Sequence, residues 1–326
     1  MAQRRTLLIA AAGGAVIGAA GTLGLPALAA AWPSRPLRII VPFPPGGSSD
    51  LIARLISKPL GDALNTTVVV ENKTGANGSI GAAATAQADD EHTLLLSDMS
   101  SLAINPLVTK DMPYKPEQLK GATLLAYSPH LLVAHPSVAA SNISELVALS
   151  KQRALNVASS GTGSANHLGV VDIALATGLK WVHVPFRGGS QALGDTAAGN
   201  TQLCLNGMLA TMPLVTAGRL KLIGVSKATR MALLAQSPTI AEQGVKGFES
   251  GTWQGLLMAA TTPPAVRNRL NAELVNIIRS PEIRAKLVGQ GAEVVTMNPT
   301  EFERFFNAER ARWAAVVSAA GIKLDA

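Results

Sequence analysis

The chain has 326 residues, with 28 Lys plus Arg against 21 Asp plus Glu, one cysteine and 48% hydrophobic content. That is ample for a sizeable core in one large or two medium domains and excludes a disordered chain, while a single cysteine excludes an internal disulfide framework. The positive excess is mild and scattered, with no Lys/Arg run interleaved with aromatics, so nucleic-acid binding has no support.

Arg4 and Arg5 precede an uncharged run over 6–34 that is rich in small residues around Ala29. A basic start, an apolar middle and small residues at the cut predict an export signal over 1–29, removed on secretion. The run is long enough to span a bilayer as an anchor, but Gly13, Gly14, Gly18, Gly21, Gly24 and Pro26 weaken it as a permanent helix. The Arg pair also resembles a twin-arginine signal, which leaves the export route open.

Residues 37–41 read as a strand and 42–49 as a loop. Apolar residues at 51, 52, 55, 56, 60 and 64 have helical spacing, which Pro59 is expected to kink or restart. A strand at 68–70, a Gly-rich turn at 74–78, an Ala-rich helix from about 79 and a strand at 93–96 complete a βαβαβ order. Such an order implies parallel strands with helices on both faces. Two apolar runs, 123–126 and 131–134, are separated by Tyr127-Ser128-Pro129-His130. The alternation then resumes with a helix to 153, a strand at 156–158, a helix at 165–176 and strands at 181–184, 203–205 and 220–225. A second crossing is expected near Trp253, with a strand at 256–259, helices at 264–278 and 281–289, a strand at 293–296 and a helix at 300–319.

Two βαβ systems joined twice predict an α/β protein of two lobes around a cleft, each a mainly parallel sheet flanked by helices. The predicted division is 30–126 plus 254–326 for the first lobe and 127–253 for the second. Ligands of such sheets bind where strand ends lead into helix N-termini. Pro42-Phe43-Pro44-Pro45-Gly46-Gly47-Ser48-Ser49-Asp50 is such a junction: its glycines admit close backbone approach, and Ser48 and Ser49 are candidate caps. Ser159-Ser160-Gly161-Thr162-Gly163-Ser164 is its counterpart in the second lobe, a possible anion nest lacking the Lys of a P-loop. His167 follows in the next helix, as either a packed or a ligand-facing histidine. Arg187, in Pro185-Phe186-Arg187-Gly188-Gly189, is either a bidentate carboxylate partner or a solvated surface group, and Asn206-Gly207 is a turn able to present an amide.

Catalysis has little to build on. There is no G-x-S-x-G elbow, Cys204 reads as an inert core thiol, and the five histidines show no metal-ligand spacing. No catalytic residue, metal or cofactor is assigned.

Several ordered motifs carry a resemblance over essentially the whole mature chain. They include Ile39-Ile40-Val41-Pro42-Phe43-Pro44-Pro45-Gly46-Gly47 with Asp50, Val69-Val70-Glu71-Asn72-Lys73, Ile104-Asn105-Pro106, the loop from Ser159 with His167-Leu168, Val182-His183-Val184-Pro185-Phe186-Arg187-Gly188-Gly189, and Ala320-Gly321-Ile322-Lys323. In these the chain resembles the Bug (TctC-like) extracytoplasmic solute receptors of tripartite tricarboxylate transport systems. The resemblance implies a two-lobe Venus flytrap of the periplasm, monomeric, that closes on a small carboxylate-bearing solute and works with two membrane subunits. It further implies ligand contacts at Phe43, Gly46, Gly47, Ser48, Ser159, Ser160, Gly161 and Thr162, with Ser97, Asp98, Ser101, His167, Arg187, Gly188 and Asn206 as further candidates. Two departures stand out. Ala88-Asp89-Asp90-Glu91-His92 replaces the family's Pro-Asp-Gly turn, and Leu205-Asn206-Gly207 stands where the family tends to have Phe-Asp-Asn, removing a charge. A ligand-sensing receptor is the alternative within binding proteins; an exported hydrolase is disfavoured by the missing nucleophile and base.

Overall fold

The computed structural model describes residues 32–320; the predicted export signal and most of the Ala320-Gly321-Ile322-Lys323 motif lie outside the described residues, as do the side chains of Ser100 and Ser101. In chain order come β1 Leu37–Val41, α1 Ser48–Leu64, β2 Val68–Asn72, α2 Ser79–Ala86, β3 Thr93–Asp98 and α3 Met99–Val108. A long β4, Leu119–Ala134, leads into α4 Ile143–Gln152, β5 Leu155–Ser159, α5 Ala165–Thr177, β6 Trp181–Pro185, α6 Gly189–Ala197, β7 Leu203–Gly207, α7 Met208–Thr216 and β8 Lys221–Val225. The chain returns through β9 Gly251–Ala259 to α8 Pro264–Arg279, α9 Pro281–Gly289, β10 Glu293–Val294 and α10 Pro299–Ala320.

Strand order is β2-β1-β3-β9-β4-β7-β5-β6, with β8 and β10 also paired to β4. Among pairs of these strands, parallel pairing is confined to β1, β2 and β3 and to β5, β6 and β7, whereas β4 and β9 run antiparallel to their neighbours. Each lobe is therefore a mixed sheet and not a mainly parallel one, because the strands that cross between lobes enter against the βαβ direction. From Leu119 to Pro129, β4 pairs with β9; from His130 to Ala134 it pairs with β7 and β8. The two apolar runs expected around Pro129 are thus one strand. Pro129 lacks an N–H at the point where the ladder changes partner, a position where a sheet tolerates proline.

Helix α1 continues through Pro59 without a break, against expectation. Ile52, Ile56, Leu60 and Leu64 recur on its buried face and join β1 and α8 in one core cluster. Each such side chain is worth roughly 1.5–3 kcal/mol on full burial, which together outweighs the hydrogen bond that proline removes. Asn65, in the left-handed region at φ 49°, ends the helix. On the other face of the same sheet, α2, α3 and α10 supply Ala82, Met99, Leu102, Phe302 and Trp313. Two further clusters cover the second sheet half, one with α4 and α5 and one with α6 and α7. The carboxyl ends of β1, β3, β5, β6 and β7 lead into α1, α3, α5, α6 and α7, and residues at these junctions line the cavities described below.

Candidate functional site

The loop after β1 is held in shape by Asp50. Its carboxylate accepts from Gly46 N–H (2.9 Å), Asn72 Nδ2 (2.9 Å) and Arg54 Nε (3.0 and 3.1 Å), while Asn72 Nδ2 also reaches Phe43 O (3.0 Å). Burial pushes the Asp50 carboxyl up, and the bonds from Arg54, Gly46 and Asn72 outweigh it, holding the group below its ordinary value. Gly46 turns at φ 81°, a conformation that suits glycine. The N-cap of α1 is Gly47, and neither Ser48 nor Ser49 caps it. Ser49 Oγ donates instead to Gln254 Oε1 on β9 (2.7 Å).

The loop after β5 ties itself down through its hydroxyls. Ser159 Oγ lies 2.6 Å from His183 Nε2 and accepts from Gly161 N–H (3.2 Å); Ser164 Oγ donates to Gly161 O (2.7 Å) and caps α5 by accepting from His167 N–H (3.3 Å). Ser160 Oγ donates to Asn166 Oδ1 (2.6 Å), and Asn166 Nδ2 donates to Asn206 Oδ1 (3.0 Å). The Asn206 amide is thereby oriented with its N–H₂ group left for the cavity it lines. His167 lies beneath the loop, where its Nδ1 accepts from Gly163 N–H (3.2 Å) and its ring stacks on His183 at 3.9 Å. Burial, with a contribution from His183, lowers its pKa to about 4, so the imidazole is neutral at pH 7. Burial lowers His183 as well.

The predicted site residues divide between two adjoining cavities. Phe43, Gly47, Ser48, Asp98, Ser160 and Asn206 line a small inner cavity of about 50 Å³. Ser160, Gly161, Thr162 and Arg187 line an outer chamber of about 550 Å³. Ser160 belongs to both. Ser97 is buried in β3, Ser159 is spent on its own loop and His183, and His167 packs; the structure brings none of the three to either cavity. Gly46 and Gly188 form the seam between loops: a Cβ on Gly46 would stand 3.8 Å from Ser190 Cβ, and one on Gly188 would collide with Pro44 Cδ. The Ser101 side chain is outside the described residues.

The sequence reading missed Ser49, Asn166, Gly189, Thr252 and Gln254 in the inner lining, and Asn77, Asn105, Lys110 and Asp111 in the outer one. Asn166 was visible as an amide one turn after a Gly/Ser loop; the rest depend on contacts distant in sequence. Asp98 is the one carboxylate of the inner lining and interacts with other groups of the protein. Cys204 is buried in β7, and burial pushes its thiol up to about 12, which keeps it protonated at pH 7. Among the described residues no group of His, Cys, Asp and Glu is placed to hold a metal ion.

Residues 52–322 match the family model of the tripartite tricarboxylate transporter family receptor, TctC. Protein BugT of Bordetella pertussis is 33% identical over 318 residues, 95% of this chain and 98% of BugT. Among solved structures, the periplasmic binding protein BugD is similar at a TM-score of 0.85 with 30% identity, covering 90% of this chain and 99% of BugD. R. palustris Rpa4515 with adipate is similar at a TM-score of 0.86 with 32% identity, covering 90% of this chain and 99% of that one. With a two-lobe fold, loops converging between the lobes and a match that spans most of the sequence, the chain belongs to the TctC family of solute-binding receptors for tripartite tricarboxylate transporters.

Proposed function

We propose that the protein holds a small carboxylate-bearing solute between its lobes and hands it to the membrane subunits of a tripartite transporter. The observation that carries this reading is the oriented Asn206 amide, which faces the Ser48 side of the same inner cavity from the opposite lobe. A carboxylate is best held by several convergent N–H and O–H donors. An inner cavity of about 50 Å³ suits a carboxylate head, with the body of the solute extending past Ser160 into the chamber that Arg187 and Lys110 line. The adipate held by Rpa4515 supports the ligand class. We take the lobes to be 30–126 plus 254–326 and 127–253, closing as units about β4 and β9, so that occupancy becomes a shape the membrane partner reads. Residues 1–29 serve as a removable export signal, and the monomeric receptor works in the periplasm without a catalytic step.

A thermal-shift screen with mono-, di- and tricarboxylates tests the reading. A ligand present at 100 times its Kd stabilises the native state by about 2.7 kcal/mol, and the melting temperature rises accordingly. If no carboxylate raises it and a neutral or cationic solute does, the reading fails.

A further inference from the structure

The inner cavity combines features of opposite charge. The N-termini of α1, α6 and α7 reach it through Gly47, Ser48, Gly189 and Gly207, together with the oriented Asn206 amide. Helix N-termini carry partial positive charge and unpaired N–H groups, which suit a carboxylate. The opposite sign comes from Asp98, at the end of β3. Asp98 is paired with Gln254 of β9, and directly opposed residues of an antiparallel pair share a face of the sheet. Gln254 faces the start of α1, where its Oε1 accepts from Ser49 Oγ (2.7 Å), and both residues line the cavity. The Asp98 side chain therefore stands on that same face. No Lys, Arg or His is among the residues lining the cavity, so its wall holds a carboxylate and no cationic side chain.

Asp98 has interactions of its own within the protein, yet its charge remains part of the cavity wall. A carboxylate head entering alone would set a second negative charge beside the first, and like charges brought together in a confined site disfavour binding. A space of about 50 Å³ takes a head group and little more, so a compensating positive charge has to sit on the carbon next to the carboxylate. The outer chamber is no place for it: Lys110 and Arg187 against Asp111 leave that wall net positive, which disfavours a cation. We propose that Asp98 is a specificity-determining residue: it selects a carboxylate solute with an ammonium group on the adjacent carbon, an α-amino acid. The inference rests on the function proposed above and narrows its substrate class. The ammonium meets Asp98 while the carboxylate meets the Asn206 amide and the helix N-termini, so loading leaves the net charge of the cavity unchanged. A hydroxyl in place of the ammonium would hydrogen-bond to Asp98 but leave two negative charges uncompensated.

Calorimetric titration of the mature protein at pH 7 with matched triads tests this: propionate, lactate and alanine; succinate, malate and aspartate; glutarate, 2-hydroxyglutarate and glutamate; 3-phenylpropionate, phenyllactate and phenylalanine. In at least one triad the amino member is expected to bind about tenfold or more tightly than both of the others. Asp98 stands immediately before α3, where Asn caps a helix as well as Asp does, so Asp98→Asn removes the charge and keeps a capping side chain. That variant should compress the ratio to within about threefold, with the melting temperature of the empty protein unchanged. Should it fail to fold, the ratios of the unaltered protein decide. Deaminated or hydroxylated acids that match or exceed the amino member in every triad that binds would overturn the inference while leaving carboxylate binding intact. A ratio that survives Asp98→Asn would overturn it too. If no member of any triad binds, the inference falls together with the function proposed above.

Discussion

At the scale of single residues, the polarity of two amides shapes the cleft. Asn206 is oriented by Asn166, which is itself oriented by Ser160, so one lobe offers the inner cavity an N–H₂ group. Asn206→Leu keeps the approximate size of the side chain and removes the donor. Carboxylate affinity should fall about tenfold or more, the cost of one lost hydrogen bond to a charged group. Titration calorimetry reads this directly, and an unchanged Kd would remove Asn206 from the site. The residue was legible in the sequence as an amide after a strand, and as a departure from the family's aspartate. Its orientation was not, because it depends on a chain of side chains that begins 46 residues earlier, at Ser160. His167 is the converse case. It sits in a family motif beside the anion loop, yet His183 from the neighbouring strand takes its ring face and the loop takes its Nδ1.

At the scale of elements, that histidine stack makes the loop after β5 sensitive to acid. His167 is lowered to about 4 by burial and by His183, His183 is lowered by burial, and the wholly buried His130 is lowered to about 3 by burial. In the unfolded chain each titrates near 6.5. Above that pH neither state binds the proton, and these groups impose no pH dependence. Below it the unfolded state takes up protons that the native state refuses, so stability falls with pH until the native groups themselves protonate. Unfolding midpoints in urea should therefore drop between pH 7 and pH 4.5. His167→Gln, whose amide oxygen can still accept from Gly163, should flatten that drop. An equal drop in the variant would show that the stack does not carry it. Elements with one buried face were legible from their spacing, as in α1 and α8. Helix α3 was not, because it is packed between β9 and α10 and its apolar residues are not confined to one stripe. Pro59 and Pro129 misled for a related reason: local propensity was overridden by burial in α1 and by a change of ladder partner in β4.

At the scale of the whole molecule, the loops after β1 and β6 approach each other closely, with Gly188 against Pro44 and Gly46 against Ser190. Gly188 has an extended backbone at φ 174° that any residue adopts, so Gly188→Ala is tolerated within its own lobe and obstructs only the approach of the other. Solute affinity is expected to fall tenfold or more with the melting temperature of the empty protein unchanged. A melting temperature that drops by several degrees would instead show that this contact supports the fold. Strand β4 has a broader consequence. It contributes hydrogen bonds to both sheet halves within a single run from Leu119 to Ala134, so the ordered edge of one half continues directly into that of the other. The two halves are therefore expected to melt as one unit. Amide protons along β4 should then exchange with solvent only when the entire molecule opens, and a solute held in the cleft should slow that exchange in both halves at once.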